Sequence, residues 1–183
     1  MITVEDLRVK LGGSEVLKGV DTVFRGKHVV LGPNGSGKTT LFRAIDGLVP
    51  YKGRIEIDGR QLEGVRGAVG LLATNLAEVY SLAPVKALEL LHLFSDLAGV
   101  DSARALALLE ELGVSEELLR KRRFWELSAG TRKAYTTALA LATGARNVLL
   151  DEPFEQLDPA KKVKLVGELK ACNSVVVMNT HET

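Results

Sequence analysis

The first sixty residues alternate apolar and polar positions with the short period of β-strands. Four segments show this pattern: ITVEDLRVKL, EVLKGVDTVF, KHVVLG and GRIEIDGR. Turn signals separate the first three, at Gly12-Gly13 and at Arg25-Gly26. The strict alternation of GRIEIDGR is typical of a half-exposed antiparallel strand. We therefore expect an antiparallel β layer in the N-terminal part of the chain.

Helical spacing dominates the middle of the chain. A short helix is predicted from Lys38 to Ile45, and the apolar run GAVGLLAT predicts a buried strand. Residues from about 76 to 123 then show helical periodicity. Within them one apolar stripe predicts core packing; it consists of Leu88, Leu91, Phe94 and Leu97.

The final third alternates helices and apolar strands. A helix from about Thr131 to Thr143 leads into NVLLDEP, and the helical PAKKVKLVGELKAC leads into SVVVMNTH. This order is typical of a parallel sheet with helices on both faces. We predict a single α/β domain over residues 1–183, with a mostly parallel sheet, the N-terminal antiparallel layer and an inserted helical subdomain at about 76–130.

Composition and charge exclude several classes of protein. The 183 residues are 46% hydrophobic and 26% charged, and the net charge of +1 gives no reason to expect nucleic acid as a partner. The basic run RKRRF, residues 120–124, is interpreted as a solvated face in preference to a binding patch. The lone Cys172 fits a reducing compartment, and neither an export signal nor a membrane-spanning run is recognisable.

The stretch GPNGSGKT, Gly32 to Thr39, matches the phosphate-binding P-loop pattern between a predicted strand and a predicted helix. Its glycines let the backbone N–H groups curl around an anion. Lys38 would contact the β- and γ-phosphates, and the Thr39 hydroxyl would bind Mg²⁺. The predicted nucleotide-binding residues are Gly32, Pro33, Asn34, Gly35, Ser36, Gly37, Lys38, Thr39 and Thr40.

Acidic residues follow the strand NVLL, where a P-loop site needs a carboxylate for its metal ion. Asp151 is the predicted second metal-binding residue, acting through a water molecule. Glu152 is the predicted general base for the attacking water. His181 follows the last strand and is predicted to contact the γ-phosphate at the same edge of the sheet.

The motifs ELSAG, LLDEP, LDP and TH, together with the P-loop, resemble those of the ATP-binding cassette (ABC) ATPases in order and spacing over nearly the whole chain. The resemblance implies that residues 1–75 and 131–183 form an ATP-binding core. It also implies that two cassettes pair head to tail around two ATP molecules. Ser128, Gly130 and Asp158 would then contact nucleotide, with Ser128 and Gly130 gripping the γ-phosphate bound by the other copy.

Several positions depart from the family pattern. Ala129 and Thr131 replace a glycine and a glutamine of the signature motif. Thr74 and Asn75 stand where the family has a metal-sensing glutamine, with Asn75 a shorter substitute. Leu11 replaces the aromatic residue that stacks on adenine, which predicts loose nucleotide selectivity. The sequence ends two residues after His181, as in a minimal or a truncated cassette.

The leading hypothesis is a Mg²⁺-dependent ATPase subunit of an ABC transporter. It would be cytoplasmic, lying at the inner face of the cell membrane through a separate permease. The permease would dock in a groove between the helical subdomain and the loop 74–79, with Tyr80 as an exposed anchor. Two alternatives remain: an ABC ATPase that acts on nucleic acid or a protein assembly, and a P-loop kinase. ATP hydrolysis without an acceptor separates the kinase from the other two.

Overall fold

A computed structural model describes residues 1–65, 68, 70–81 and 84–181 of the chain. Two four-stranded sheets and six α-helices make up this part. The strands are β1 (Ile2–Leu11), β2 (Ser14–Phe24), β3 (Lys27–Leu31), β4 (Lys52–Ile57), β5 (Arg60–Gln61), β6 (Leu72–Thr74), β7 (Asn147–Asp151) and β8 (Val175–Thr180). The helices are α1 (Lys38–Ile45), α2 (Ala87–Ala98), α3 (Ser102–Glu111), α4 (Glu116–Lys121), α5 (Ala129–Ala142) and α6 (Pro159–Ala171).

The N-terminal sheet is antiparallel, in the order β2-β1-β4-β5, as the alternation predicts. Strand β1 changes its phase halfway, because the pairing with β2 is shifted between Val4 and Leu7 around Asp6, whose φ is 41°. Ile2 and Val4 are buried before this irregularity, and Leu7 and Val9 after it. The bulge thus keeps the apolar side chains on one face although their spacing along the sequence changes.

The second sheet is parallel, in the order β3-β8-β7-β6, and both of its faces are covered. Side chains alternate between two cores along each central strand. Leu149 and Val177 pack with α1 and the antiparallel sheet, whereas Val148, Leu150 and Val176 pack with the later helices. This arrangement confirms the predicted α/β class.

Helices α2, α3 and α4 lie within the segment predicted to form the helical subdomain. The apolar stripe predicted on α2 is wrong at one position, since Leu97 is 58% exposed while Leu90 is 1% exposed. The buried face is therefore turned toward Leu90 and Leu91. The division of the chain into an ATP-binding core and a helical subdomain stays a prediction.

The run GAVGLLAT forms a strand only at Leu72–Thr74; Gly67 and Val69 of that prediction lie outside the described residues. None of the described helices is long and apolar enough to cross a membrane.

Candidate functional site

The predicted P-loop connects the end of β3 to the start of α1. Gly37 precedes α1 with a φ of 93°, and a Cβ atom there would lie 2.9 Å from Leu17 Cδ2 and 3.3 Å from Val16 Cγ1. Only glycine meets both conditions without strain. The strand β2 therefore holds the loop from behind, and Val16 also lines the cavity in front of it.

Lys38 begins α1 and its side chain folds across the loop. The ammonium donates hydrogen bonds to the carbonyl oxygens of Gly32, at 2.7 Å, and Pro33, at 3.1 Å. The residue is only 9% exposed. A largely buried lysine at the start of a helix, folded across a glycine-rich loop, favours binding of a phosphate.

A cavity of about 310 Å³ opens in front of the P-loop. Most of the predicted phosphate-binding residues line it, together with Glu152 and His181. The complete lining is Val16, Asn34, Gly35, Gly37, Lys38, Thr39, Thr40, Glu152, Glu155 and His181. The parallel sheet thus brings the residues predicted from three distant motifs to one cavity, and it adds Val16 and Glu155, which the sequence did not indicate.

The two predicted metal-binding residues meet beside this cavity. Thr39 Oγ1 donates a hydrogen bond to Asp151 Oδ1 at 2.8 Å. Both are hard oxygen donors, and a hydroxyl with one carboxylate is the small protein ligand set that Mg²⁺ takes beside phosphate and water oxygens. The donors therefore fit Mg²⁺. Among the described residues, no group of three His, Cys, Asp or Glu side chains could hold a metal ion.

Glu152 has a φ of 45°, which is rare for a residue other than glycine and costs of order 1–3 kcal/mol. Its carboxylate Oε2 lies 3.0 Å from His181 Nδ1 and accepts a hydrogen bond of 3.3 Å from the backbone N–H of His181. The strained backbone turns the carboxylate toward the residue that was predicted to contact the γ-phosphate.

Two asparagines hold this acidic pair: Asn75, which was predicted as a shorter substitute for the family's glutamine, and Asn179, which the sequence did not single out. Asn75 accepts a hydrogen bond from Asp151 N at 2.7 Å and donates to Asp151 O at 3.2 Å. Asn179 accepts from Glu152 N at 2.8 Å and donates to Asp151 Oδ1 at 2.5 Å. Lys133 of α5 adds a hydrogen bond of 2.7 Å to Asp151 O. The sequence could have indicated Asn179, because it lies two residues before His181 and alternate side chains of an extended chain point to the same side.

Ser128 and Asp158, two of the residues that the resemblance implied to contact nucleotide, do not line the P-loop cavity. Ser128 is exposed and is the N-cap of α5, where its Oγ accepts a hydrogen bond from Thr131 N at 3.2 Å. Asp158 is the N-cap of α6, and hydrogen bonds from the backbone N–H and the side chain of Lys161 lower its pKa. Ser128 and Asp158 are not part of the cavity lining, so their contact with nucleotide stays a prediction.

Gly130, in the first turn of α5, is packed against the loop that follows β7. A Cβ atom on Gly130 would lie 2.7 Å from Gln156 Oε1. Gln156 itself has a φ of 62°. This contact joins the ELSAG motif to the segment between Glu152 and Asp158. A contact between Gly130 and a phosphate stays a prediction.

Thr74 and Asn75 are both buried, Asn75 to 1% exposure, at the position where the family has its glutamine. Thr74 lies against Asp46, at the end of α1. Burial raises the pKa of the Asp46 carboxyl to about 7; a hydrogen bond with Thr74 lowers it and the charge of Glu78 raises it. Asp46 Oδ2 has no hydrogen-bond partner among the described residues.

A second cleft, of about 370 Å³, lies between the loop after β6 and the start of α5. Trp125, which is 42% exposed, lines it beside Phe124, Ala129 and Arg132. Tyr80 was predicted as the exposed anchor of this region, and that prediction is wrong. It is 4% exposed, because its hydroxyl donates to Thr74 O and its ring packs between Phe94 and Phe124. Trp125 was missed, although it directly precedes ELSAG.

Leu11, the position predicted to contact adenine, is 36% exposed at the end of β1. Its contact with a nucleobase stays a prediction.

Comparisons with known proteins agree with this geometry. The sequence model of the ABC transporter family matches residues 21–155. The taurine import ATP-binding protein TauB of Escherichia coli O157:H7 is 35% identical over an alignment of 164 positions that covers 86% of this chain and 63% of that protein. This chain thus spans less than two thirds of the length of that curated relative.

Solved structures show the same fold. A structure described as a cobalt transport ATP-binding protein superposes with a TM-score of 0.90 and 36% identity, over 100% of this chain and 70% of the other. A bacterial ABC transporter cassette solved as a dimer superposes with a TM-score of 0.77 and 24% identity, over 100% and 88%, and shows the fold alone. On these matches, the chain belongs to the ABC transporter family.

Proposed function

We propose that this chain binds Mg²⁺ and ATP at the P-loop cavity and hydrolyses the ATP. The observation that carries the proposal is the meeting of Thr39, Asp151, Glu152 and His181 beside Lys38. These residues come from three distant motifs and share one edge of the parallel sheet. A purely structural role of the glycine-rich loop, as a turn between a strand and a helix, does not explain why these side chains converge beside it.

Each residue has a role that its position supports. The P-loop N–H groups and Lys38 hold the phosphates, and Lys38 exchanges its contacts with the Gly32 and Pro33 carbonyls for phosphate oxygens. Thr39 and Asp151 hold Mg²⁺, which when bound neutralises charge on the phosphates. Glu152 accepts the proton of the attacking water, and His181 orients the Glu152 carboxylate and reaches the γ-phosphate.

We further infer that two cassettes pair head to tail around ATP. The exposed N-terminus of α5 supports this, because Ser128 lies outside the P-loop cavity of its own chain and leaves a second phosphate grip for another copy. Helix N-termini attract anions through their free N–H groups and dipole. A cassette of the same fold has been solved as a dimer. Hydrolysis would then weaken the pair.

We propose a membrane permease as the second partner, docked in the cleft beside Trp125. The cleft combines a half-exposed indole with apolar Phe124 and Ala129, and with the basic side chains Arg132 and Lys133. The acidic Glu78 also lines it, but its charge is paired with Arg43. The cleft therefore suits an apolar segment that carries an acidic residue. The named relatives serve taurine import and cobalt transport, and a cytoplasmic position at the inner membrane face follows from such a partnership.

Release of phosphate from ATP by the purified chain tests the enzymatic part. We expect Mg²⁺-dependent hydrolysis without any acceptor, which a kinase would not show. Lys38→Ala should abolish nucleotide binding, and Glu152→Gln should retain binding while losing at least about 100-fold in kcat. Equal hydrolysis by wild type and Glu152→Gln would contradict the assignment of the base.

Size-exclusion chromatography with light scattering tests the pairing. Glu152→Gln should elute as a dimer with saturating ATP and Mg²⁺ and as a monomer without nucleotide. Ser128→Arg, which places a bulky cation at the exposed N-cap, should bind ATP normally and remain a monomer. A monomeric Glu152→Gln variant at saturating ATP would refute the head-to-tail arrangement.

Co-purification tests the permease. The chain should be retained by a multi-span membrane protein encoded beside it, and Trp125→Ala should lose this retention while its ATP binding is unchanged. An exposed leucine outside the cleft, Leu97, offers the matched control Leu97→Ala. Equal retention of the two variants would move the docking site elsewhere.

A further inference from the structure

Strand β8 carries two polar residues toward the acidic pair at the end of β7. Asn179 and His181 are two positions apart, and successive side chains of an extended chain point to opposite sides. Both therefore face Asp151 and Glu152, and His181 lies beside the Glu152 carboxylate. Asn179 is fully buried, with 0% exposure, so water cannot satisfy the hydrogen-bonding groups of its amide.

Both polar atoms of the Asn179 amide are used, and each reaches a different residue. The Nδ2 group donates to Asp151 Oδ1 at 2.5 Å, and Oδ1 accepts from Glu152 N at 2.8 Å. A backbone N–H can only donate and a carboxylate can only accept, so one orientation of the amide satisfies both neighbours. An apolar residue of the same size would satisfy neither.

The two bonds act on the two groups whose positions the reaction depends on. Asp151 Oδ1 accepts from both Thr39 and Asn179, and two donors on one oxygen restrict the rotation of the carboxylate. The bond from Glu152 N holds that residue at its φ of 45°, a conformation that a single residue adopts only under constraint. Asn179 thus links the metal-binding residue to the backbone of the general base.

We propose that Asn179 is a positioning residue for Mg²⁺-dependent ATP hydrolysis, acting through the Asp151 carboxylate and the backbone of Glu152. The assignment rests on the proposed function of this site. Asn75 supports the same strand end and also donates to Thr137 Oγ1, but in Asp151 it bonds only backbone atoms. It therefore sets the path of the chain and not the direction of the carboxylate.

Asn179→Leu removes both hydrogen bonds while keeping the number of side-chain heavy atoms, and Asn179→Thr keeps one hydroxyl on a β-branched strand former. Asn147 provides the matched control, because it is also 0% exposed and lies at the opposite end of β7 from Asp151. Its amide donates to Asp58 and to Leu71 O. Asn147→Leu therefore reports the cost of losing a buried asparagine away from the site.

Binding of a fluorescent ATP analogue is measured first with EDTA and then with Mg²⁺. Without metal, all variants should bind within about 2-fold of wild type, because the P-loop and Lys38 are unchanged. The tightening produced by Mg²⁺ should fall by about 10-fold in Asn179→Leu and less in Asn179→Thr. It should be retained in Asn147→Leu. This measurement does not depend on hydrolysis.

Hydrolysis by the folded fraction of each variant gives the second readout. Asn179→Leu should lose about 100-fold in kcat with little change in the KM for ATP, since a shift of about 1 Å in a catalytic group has such an effect. If Asn179→Leu behaved like Asn147→Leu in both readouts, the positioning role of Asn179 would be overturned, but the proposed function of the site would not. A wild-type chain that binds no nucleotide would overturn the proposed function and the assignment with it.

Discussion

The carboxyl group of Asp46 is expected to make the stability of this protein depend on pH. Asp46 follows the last residue of α1, and burial raises its pKa from 3.8 to about 7. The charge of Glu78 raises it further, a hydrogen bond with Thr74 opposes the shift, and Arg43 neutralises part of the Glu78 charge through an ion pair. The carboxylate form is thus disfavoured in the folded chain.

The sign and size of the effect follow from this shift. Between about pH 4 and pH 7 the folded chain holds a proton that the unfolded chain has released, so the free energy of unfolding falls as the pH rises through this range. Above about pH 7 the loss is complete. A shift of about 3 units sets an upper limit of about 4 kcal/mol. Because Asp46 is not fully enclosed, we expect about 2 kcal/mol.

Asp46→Asn removes the charge at constant shape and tests this reasoning. Urea unfolding followed by circular dichroism should show the variant about 2 kcal/mol more stable than wild type at pH 8.5, or about 4–8 °C higher in Tm. The difference should shrink toward zero as the pH approaches 4. Asp96→Asn, at an exposed position on α2, is the control and should show no such trend. A pH-independent difference for Asp46→Asn would refute the buried-carboxyl explanation.

Three further predictions concern single side chains. Ser95→Ala should raise the free energy of unfolding by about 0.5–1 kcal/mol in urea titrations, because the buried Ser95 Oγ has no hydrogen-bond partner among the described residues; a loss of stability would contradict this. Gly53→Ala should lower it by more than about 2 kcal/mol in the same assay, since φ is 102° and a Cβ would lie 2.4 Å from Asp6 O; a wild-type Tm would be the opposing result. Lys133→Met should cost about 1–2 kcal/mol through its lost hydrogen bond to Asp151 O, which thermal unfolding would reveal.

Local sequence was sufficient wherever the chemistry lies within one contiguous segment. The P-loop pattern requires glycine for its backbone and Lys38 at the start of a helix, and both follow from neighbours along the chain. The N-cap position of Ser128 is local in the same way. The convergence of Asp151 and His181 was also predictable, because parallel strands end at one edge of a sheet.

Tertiary contacts decided the rest. Tyr80 looked exposed in a loop, but a hydrogen bond to Thr74 O and two aromatic neighbours bury it. Leu97 is exposed because the face of α2 that becomes buried depends on which helices pack against it. Helical periodicity alone does not specify those packing partners.

The asparagines show the same division most clearly. Sequence determined that this chain is an α/β protein with a P-loop, an acidic pair and a histidine in the order of the family. The contacts of Asn75 and Asn179 with the acidic pair depended on the strand order β8-β7-β6. This order places the two asparagines on opposite sides of Asp151, although they are 76 and 28 positions from it along the chain. Hydrogen bonds between distant segments depend on the register of the strands and on the rotamers of the side chains. The pattern of apolar positions along the chain specifies neither.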